Sequence, residues 1–194
     1  LVLHSIRDAV GGPKKVLAAG GAPLRKEVEE FFAACGILVS QGYGLTEASP
    51  LVSFNCPAAH KFGTAGRPIH GSRIRIADDG EVQYWGKNVM KGYWNKPEAT
   101  ADALRDGWLH SGDVAVRDAD GFITIVDRMK DMIITGGRNV YSAEVENSLA
   151  GCPGVAELAI IGRPHPDYGE SIVAVVAPMA AVGLVAAFLL VWRG

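Results

Sequence analysis

The first part of the chain alternates between short apolar runs and a segment with helical periodicity. The run 16–19 is apolar and ends at a pair of glycines, which is typical of a buried strand leading into a turn. Pro23 is expected to open a helix, because its missing N–H group is one that a first helical turn leaves unbonded. Gly36 is expected to end that helix. Its apolar face is predicted to consist of Leu24, Val28, Phe31 and Cys35.

A second apolar run, 37–39, follows the predicted helix and indicates another strand. The order strand, helix, strand predicts a parallel sheet, and such sheets bind ligands beyond the carboxyl ends of their strands. Segment 41–47 comes directly after this run. We therefore expect it to lie at a ligand-binding edge.

The middle of the chain has the pattern of an antiparallel sheet. Short segments with alternating apolar and polar residues occur at 73–76, 81–84 and 122–125. Asp-Gly pairs at 79–80 and 120–121 are typical of tight turns between such strands. This pattern predicts a barrel-like antiparallel subdomain.

The last third is predicted to be a small α+β unit that follows a charged joint at 127–131. Ser142 is expected to cap a short helix, with Gly151 past its end, and 158–161 is expected to be a strand. The predicted fold therefore combines α/β and α+β parts. Its boundaries are 1–62 for the end of the parallel α/β subdomain, 63–127 for the barrel-like subdomain, and 128–194 for the hinge and the small domain.

An uncharged stretch of 21 residues runs from Ile172 to Trp192, interrupted by Pro178 and Gly183. Its length would allow a membrane span, which needs about 20 apolar residues. A buried strand at 172–176 followed by an apolar tail is the favoured interpretation, because the stretch begins with β-branched residues and contains proline. Membrane contact is possible but is not favoured.

Charge and cysteine content narrow the function classes. The net charge of -2 gives no sign of a nucleic-acid-binding surface, which requires clustered Lys and Arg. The three cysteines, Cys35, Cys56 and Cys152, are far apart and form no CxxC pair. Their odd number favours a reducing cytoplasm over a disulfide framework.

Segment 41–47 is the first of four clusters that could carry chemistry. Glycines on both sides of Tyr43 would let the backbone approach a ligand while the ring stacks on it. Thr46 could bond a phosphate oxygen, and Glu47 offers a hard oxygen ligand for Mg²⁺. A plain turn with an exposed tyrosine is the alternative.

The other three clusters lie in the second half of the chain. In 107–113, the carboxylate of Asp113 could accept hydrogen bonds from both hydroxyls of a ribose, whereas His110 is interpreted as structural and not as a general base. In 127–131, Arg128 offers planar donors to ribose or phosphate oxygens, although the segment could be a solvated linker. In 136–141, paired glycines would admit a pantetheine arm, and a simple glycine turn is the alternative.

In order and composition, these clusters resemble the adenylate-forming superfamily, which includes acyl-CoA synthetases, firefly luciferase and the adenylation domains of peptide synthetases. The similarity extends from about residue 15 to residue 178. The segments that carry it are 20–24, 42–47, 63–68, 91–94, 107–113, 127–131 and 136–146.

The resemblance implies an ATP-dependent ligase that forms an acyl-adenylate and then a coenzyme A thioester. Thr46 would contact the α-phosphate, Glu47 would bind Mg²⁺, and Lys130 would lie at a hinge between two half-reactions; these three are the implied catalytic residues. The implied residues for ATP or AMP and for coenzyme A are Gly21, Ala22, Gln41, Gly42, Tyr43, Gly44, Asp113, Arg128, Gly136, Gly137 and Arg138.

The acid is expected to be a fatty acid, because 44–50 and 136–146 are most similar to bacterial fatty-acyl–CoA ligases. The chain is interpreted as a fragment, since the phosphate-binding loop of the superfamily would precede Leu1 and its C-terminal lysine is replaced by the apolar tail. We expect this fragment alone to be inactive. The alternatives are an adenylation domain that loads a carrier protein, and a non-catalytic nucleotide-binding or membrane-anchored remnant.

Overall fold

A computed structural model describes residues 2–12, 14, 16–179 and 188–191, with the backbone alone for 2–4 and 188–191. The chain divides into two compact units. Unit 1 comprises residues 1–111 and 115–125, and unit 2 comprises residues 112–114 and 126–194.

Strands outnumber helices in the described residues. The helices are α1 (Val2–Ala9), α2 (Lys26–Ala34), α3 (Pro97–Ala103) and α4 (Ser142–Leu149). The strands are β1 (Leu17–Ala19), β2 (Val39–Gly44), β3 (Leu51–Phe54), β4 (Arg67–Pro68), β5 (Arg73–Ile76), β6 (Glu81–Trp85), β7 (Leu104–Arg105), β8 (Trp108–Arg117), β9 (Ile123–Arg128), β10 (Ile133–Thr135), β11 (Arg138–Val140), β12 (Val155–His165), β13 (Gly169–Pro178) and β14 (Phe188–Val191).

The first sheet has the order β1-β2-β3-β4. Strands β1 and β2 are parallel, as predicted, whereas β2 and β3 are antiparallel. The predicted second strand at 37–39 was placed too early, because β2 begins at Val39 and continues through Gly44. Segment 41–44 is thus part of the strand, held by pairing of Gly42 with Phe54.

Helix α2 differs from its prediction in its start and in its buried face. It begins at Lys26 and not at Pro23, because the N–H of Leu24 bonds the Gln41 side chain instead of opening a helical turn. Phe31 was expected on the apolar face but is 49% exposed, and Phe32 packs against the core formed by Cys35, Ile37 and Val39.

The second sheet has the order β5-β6-β8-β7, with β9 beside β8. The predicted alternating strands are confirmed in β5, β6 and β9. One face packs into the main core of unit 1, where apolar residues from β6, β8 and β9 meet those of the first sheet. These buried residues are Ala48, Val52, Ile74, Val82, Tyr84, Leu109, Ala115 and Ile123.

Unit 2 contains the third sheet, with the order β11-β10-β13-β12 and β14 beside β13. The long antiparallel pair β12–β13 includes the predicted strands 158–161 and 172–176. Ile133, Ile160 and Val173 are buried. Ser142 was expected to be the cap of α4; it is instead the first helical residue, and Tyr141 precedes the helix.

The apolar tail lies only partly within the described residues. Residues 188–191 form β14, which pairs antiparallel with β13, while 180–187 and 192–194 lie outside the described residues. Among the residues that the structure describes, no helix is long and apolar enough to span a membrane.

Candidate functional site

The turn between β2 and β3 carries Thr46 and Glu47 in a short 3₁₀-helix, Thr46–Ala48. The chain folds back tightly here, since the N–H of Leu45 donates to the carbonyl of Pro50 at 2.8 Å. A Cβ atom at Gly44 would overlap that carbonyl oxygen, so this position requires glycine for packing alone. Thr46 is exposed at the turn surface and Glu47 is half-buried.

Tyr43 lies near the end of β2, and its half-buried side chain packs against the main core of unit 1. The residue predicted to stack on a ligand therefore packs partly against the core and is partly accessible to solvent. An aromatic side chain in such a position can contact the protein core and a ligand at the same time.

The Glu47 carboxylate accepts a hydrogen bond of 2.7 Å from the hydroxyl of Tyr93. This hydrogen bond, followed by burial, raises the pKa of the Tyr93 phenol above its ordinary value. The backbone carbonyl of Glu47 also accepts a bond of 2.7 Å from the N–H of Met90. Both the side chain and the backbone of Glu47 are thus held by the segment 88–93.

Asn88 holds the same turn from the other side. Its Nδ2 donates to the carbonyls of Ala48 and of Leu51, the latter at 2.9 Å, and its Oδ1 accepts from the hydroxyl of Tyr84 at 2.7 Å. The sequence analysis gave no role to Asn88 or Tyr93. The position of Tyr93 in the 91–94 segment, which resembles the superfamily, was the sequence signal that could have pointed to it.

Gln41 is nearly buried, and its side-chain amide serves the loop that contains Gly21 and Ala22. The amide accepts from the N–H of Leu24 at 3.2 Å and donates to the Leu24 carbonyl at 3.4 Å. Its Nε2 also donates to Glu29 at 3.2 Å. Gln41 therefore fixes the loop 20–24 beside β2, and Gly21 and Ala22 are exposed there.

Glu29 is fully buried and was not singled out by the sequence analysis. Its second carboxylate oxygen accepts a 2.6 Å hydrogen bond from the N–H of Gly63. A carboxylate on α2 thus connects β2 to the segment 63–68. The two donors offset part of the cost of burying this carboxylate.

Asp113 and Arg128 come together in unit 2. Asp113 Oδ1 lies 3.6 Å from Arg128 Nε, and the Asp113 side chain is only 16% exposed while that of Arg128 is 63% exposed. The ion pair places an acceptor and a guanidinium donor on one surface. These are the two groups that the resemblance assigns to the ribose.

His110 is a structural residue of the second sheet. Its Nδ1 lies 2.6 Å from Glu81 Oε2, and the two side chains are 11% and 8% exposed. The same Nδ1 also lies 2.9 Å from Arg105 Nη2 and 3.3 Å from Gln83 Nε2. The buried pair joins β6 to β8, in agreement with the structural interpretation of His110.

The remaining predicted residues lie on exposed turns of unit 2. Lys130 is exposed in the 3₁₀-helix Met129–Asp131. Gly136 and Gly137, with φ of 55° and 75°, form the two-residue connection of the β10–β11 hairpin, in which Thr135 pairs with Arg138. The hairpin turn accounts for both glycines without a ligand, and a role at a coenzyme A channel stays a prediction.

Glu47 offers one carboxylate ligand to a magnesium ion that is held with a substrate, and a magnesium site here stays a prediction. No group of three or more His, Cys, Asp or Glu within the described part of the chain could hold a metal ion. Mg²⁺ commonly binds through one or two carboxylates together with phosphate oxygens and water, so a single Glu47 carboxylate suits that mode.

Tyr43 and Glu47 belong to unit 1, whereas Asp113, Arg128 and Lys130 belong to unit 2. The structure brings together Asp113 with Arg128, and the loop 20–24 with Gln41. Convergence of the two units' residues on one adenosine stays a prediction.

Two family models match the chain. The AMP-binding enzyme model matches residues 4–94, and the model of the AMP-binding enzyme C-terminal domain matches residues 144–189. Together they cover more than half of the chain.

Curated proteins with similar sequences include two kinds of coenzyme A ligase. Feruloyl-CoA synthase of an Amycolatopsis species is 47% identical over 190 residues, which cover 92% of this chain and 39% of that protein. Long-chain-fatty-acid–CoA ligase of Escherichia coli O157:H7 is 41% identical over 167 residues, covering 80% of this chain and 30% of that protein. The chain thus spans well under half the length of these relatives.

Solved structures with the same fold include ligand complexes. o-Succinylbenzoate CoA synthetase of Bacillus subtilis, bound to its acyl-adenylate intermediate, is 32% identical with a TM-score of 0.81, and the match covers 93% of this chain and 40% of that one. ATP-bound MatB of Rhodopseudomonas palustris is 34% identical with a TM-score of 0.78, covering 87% and 37%.

Proposed function

Since this chain belongs to the AMP-binding enzyme family, we propose that it supplies nucleotide-binding parts of an ATP-dependent acid–CoA ligase. The reaction joins a carboxylic acid to the α-phosphate of ATP with loss of pyrophosphate, and then transfers the acyl group to the thiol of coenzyme A. The observation that carries the proposal is the ion pair of Asp113 with Arg128, formed by the two residues that the resemblance assigns to the ribose.

Each site residue has a chemical task in this proposal. Asp113, largely shielded from water, accepts hydrogen bonds from the ribose hydroxyls, and Arg128 restrains the carboxylate and donates to ribose or phosphate oxygens. Tyr43 stacks on the adenine from the edge of the unit 1 core. Gly21 and Ala22, exposed in the loop 20–24, flank the adenine, and Gln41 keeps that loop in place. Gly42 and Gly44 belong to the strand that presents Tyr43 to the nucleotide.

Adenylation needs positioning and charge neutralisation more than covalent chemistry from the protein. Thr46, exposed beside Glu47, donates its hydroxyl to the α-phosphate. Glu47 would hold Mg²⁺, and the ion would supply positive charge to neutralise the phosphates. Lys130 lies at the hinge between half-reactions, and Gly136, Gly137 and Arg138 border the coenzyme A channel.

Nucleotide binding by the 194-residue chain tests this proposal. We expect isothermal titration with AMP, or with a non-hydrolysable acyl-adenylate analogue, to show weaker binding for Asp113→Ala by about 1–3 kcal/mol, the scale for removing a buried polar partner. Asp118→Ala is the matched control, because Asp118 pairs with Lys61 elsewhere on unit 1. Equal affinities of Asp113→Ala and the parent chain would rule out the assigned ribose site.

The acid is proposed to be a fatty acid, which the similarity to long-chain-fatty-acid–CoA ligase supports. The higher identity to feruloyl-CoA synthase favours an aromatic acid as the second candidate. Binding of a long-chain acyl-adenylate analogue and of a feruloyl-adenylate analogue distinguishes the two. Tighter binding of the aromatic analogue would reject the fatty acid.

A further inference from the structure

We propose that Asn88 and Tyr93 are positioning residues, which hold the Thr46–Glu47 turn in the conformation that receives the magnesium–phosphate group. The identity of the ligand in this inference rests on the proposed function. The contacts that carry it lie wholly within unit 1.

The two residues act on successive parts of one turn. Tyr93 bonds the Glu47 carboxylate, Asn88 bonds the carbonyls of Ala48 and Leu51, and between them the N–H of Met90 bonds the carbonyl of Glu47. We call the segment 88–93 the clasp. The turn is also held by its own backbone bonds and by Ala48 in the core, but within the described part of the chain only the clasp donates a hydrogen bond to the Glu47 carboxylate.

The clasp is itself anchored at both ends. At its start, Asn88 accepts from the hydroxyl of Tyr84, which is fully buried in the core. At its end, the N–H of Tyr93 donates to Thr100 Oγ1 at 2.9 Å, and Thr100 Oγ1 donates to the carbonyl of Lys96 at 2.8 Å. Gly92 lies directly against Thr100, since an added Cβ would come within 2.7 Å of Thr100 Cγ2. The turn is therefore tied to the core and to α3.

The chemical consequence concerns the Glu47 carboxylate. A free glutamate side chain on a turn samples several rotamers, and ordering it when a ligand binds costs conformational entropy. The Tyr93 hydroxyl holds one carboxylate oxygen at 2.7 Å before any ligand arrives, which reduces the conformational entropy that Glu47 would lose on binding a cation. Hydrogen-bond partners of metal-binding side chains are worth about 10- to 100-fold in metal affinity.

Two measurements on the 194-residue chain test the inference, with Tyr93→Phe and Asn88→Ala as variants. The control is Tyr168→Phe, which removes the hydroxyl of an exposed tyrosine in unit 2. The first measurement is amide hydrogen exchange of the peptide 44–51. We expect exchange to be about 2- to 10-fold faster in both variants, as for the loss of one net hydrogen bond, and unchanged in the control.

The second measurement is ATP binding by calorimetry, with Mg²⁺ and with EDTA. We expect Tyr93→Phe to reduce the gain in affinity that Mg²⁺ brings by about 10-fold and to leave the affinity in EDTA unchanged. Glu47→Gln should abolish the gain in ATP affinity that Mg²⁺ brings. The double variant Glu47→Gln/Tyr93→Phe should bind ATP no more weakly than Glu47→Gln alone. A Tyr93→Phe effect that is equal with and without Mg²⁺, or additive to Glu47→Gln, would overturn the inference.

The two measurements separate this inference from the proposed function. If the parent chain binds no ATP under either condition, the proposed function fails, and the exchange data still decide whether the clasp holds the turn. If the parent chain shows Mg²⁺-dependent binding but both variants keep the exchange rate of the control, the clasp inference alone fails.

Discussion

The carboxylate of Asp127 caps helix α4, because its Oδ2 accepts a hydrogen bond of 3.0 Å from the hydroxyl of Ser142. The same oxygen accepts from the N–H of Ala143 at 3.3 Å, and the other oxygen accepts from the N–H of Arg128 at 2.8 Å. The first N–H groups of a helix have no partner within the helix, and a negative charge there also favours the helix dipole. One carboxylate therefore fixes the start of α4 beside the residue that pairs with Asp113.

Removal of this cap should destabilise unit 2. We expect Asp127→Ala to lower the free energy of unfolding by about 1–2 kcal/mol, the usual cost of a lost helix cap. Urea denaturation followed by circular dichroism measures the change. Asp131→Ala is the control, since Asp131 is exposed in the neighbouring 3₁₀-helix. If the two variants unfold at the same urea concentration, Asp127 does not stabilise the helix.

Glu29 should be important for the stability of unit 1, because its buried carboxylate accepts hydrogen bonds from two donors. Glu29→Ala would leave the N–H of Gly63 without its acceptor and would remove one of the two acceptors of Gln41 Nε2 in a buried position. The expected loss is about 1–3 kcal/mol or more in the free energy of unfolding. Glu27→Ala, at an exposed position of the same helix, is the control. Tryptophan fluorescence in urea reports mainly on unit 1, which contains Trp85, Trp94 and Trp108 of the four tryptophans, and equal midpoints would contradict the assigned role.

Gly44 should tolerate no side chain, because an added Cβ would overlap the carbonyl of Pro50. We expect Gly44→Ala to cost about 1–3 kcal/mol, the range for overpacking a closed site. Gly151→Ala is the matched control, since nothing lies within 4 Å of its added Cβ. Thermal denaturation compares the two variants. A melting temperature for Gly44→Ala equal to that of the control would mean that the turn can open without cost.

The sequence predicts the elements of this fold where local periodicity carries the information. The alternation in Arg73–Ile76 and Glu81–Trp85 predicted strands at those positions, and the run before the paired glycines predicted the parallel strand β1. The predicted start of α2 was wrong because it depends on a hydrogen bond from Leu24 to the Gln41 side chain. Gln41 lies 17 residues from Leu24, and local periodicity does not reveal such a contact.

The residues that hold the candidate site in place also act through contacts between positions that are far apart in the sequence. Tyr93 meets Glu47 across 46 residues, and Glu29 meets Gly63 across 34. Glu29 has the sequence appearance of a solvent-exposed helix residue, since buried glutamates are rare. Motifs locate the groups that face a ligand, whereas the residues that hold those groups become visible only in three dimensions.

Lys61 provides a pH prediction. Its Nζ lies 2.6 Å from Asp118 Oδ2 and 3.7 Å from Asp120 Oδ2. The hydrogen bond to Asp118 raises the pKa of Lys61 above its ordinary 10.5, and the same bond lowers the pKa of Asp118 below its ordinary 3.8. A lowered carboxyl pKa contributes stability above the unfolded value that is lost as pH falls, and a raised amine pKa contributes stability below the unfolded value that is lost as pH rises.

We therefore expect Lys61→Met to lower the melting temperature by a small, constant amount between these two limits. The difference should fade as pH falls below 3.8 and passes through the lowered pKa of Asp118, and as pH rises above 10.5 and passes through the raised pKa of Lys61. It should be small because both groups are solvated, and added salt should reduce it further. Thermal denaturation across pH measures the difference, with Lys87→Met as the exposed-lysine control. A difference that persists unchanged on both sides of this window would show that Lys61 does not stabilise the chain through its charge.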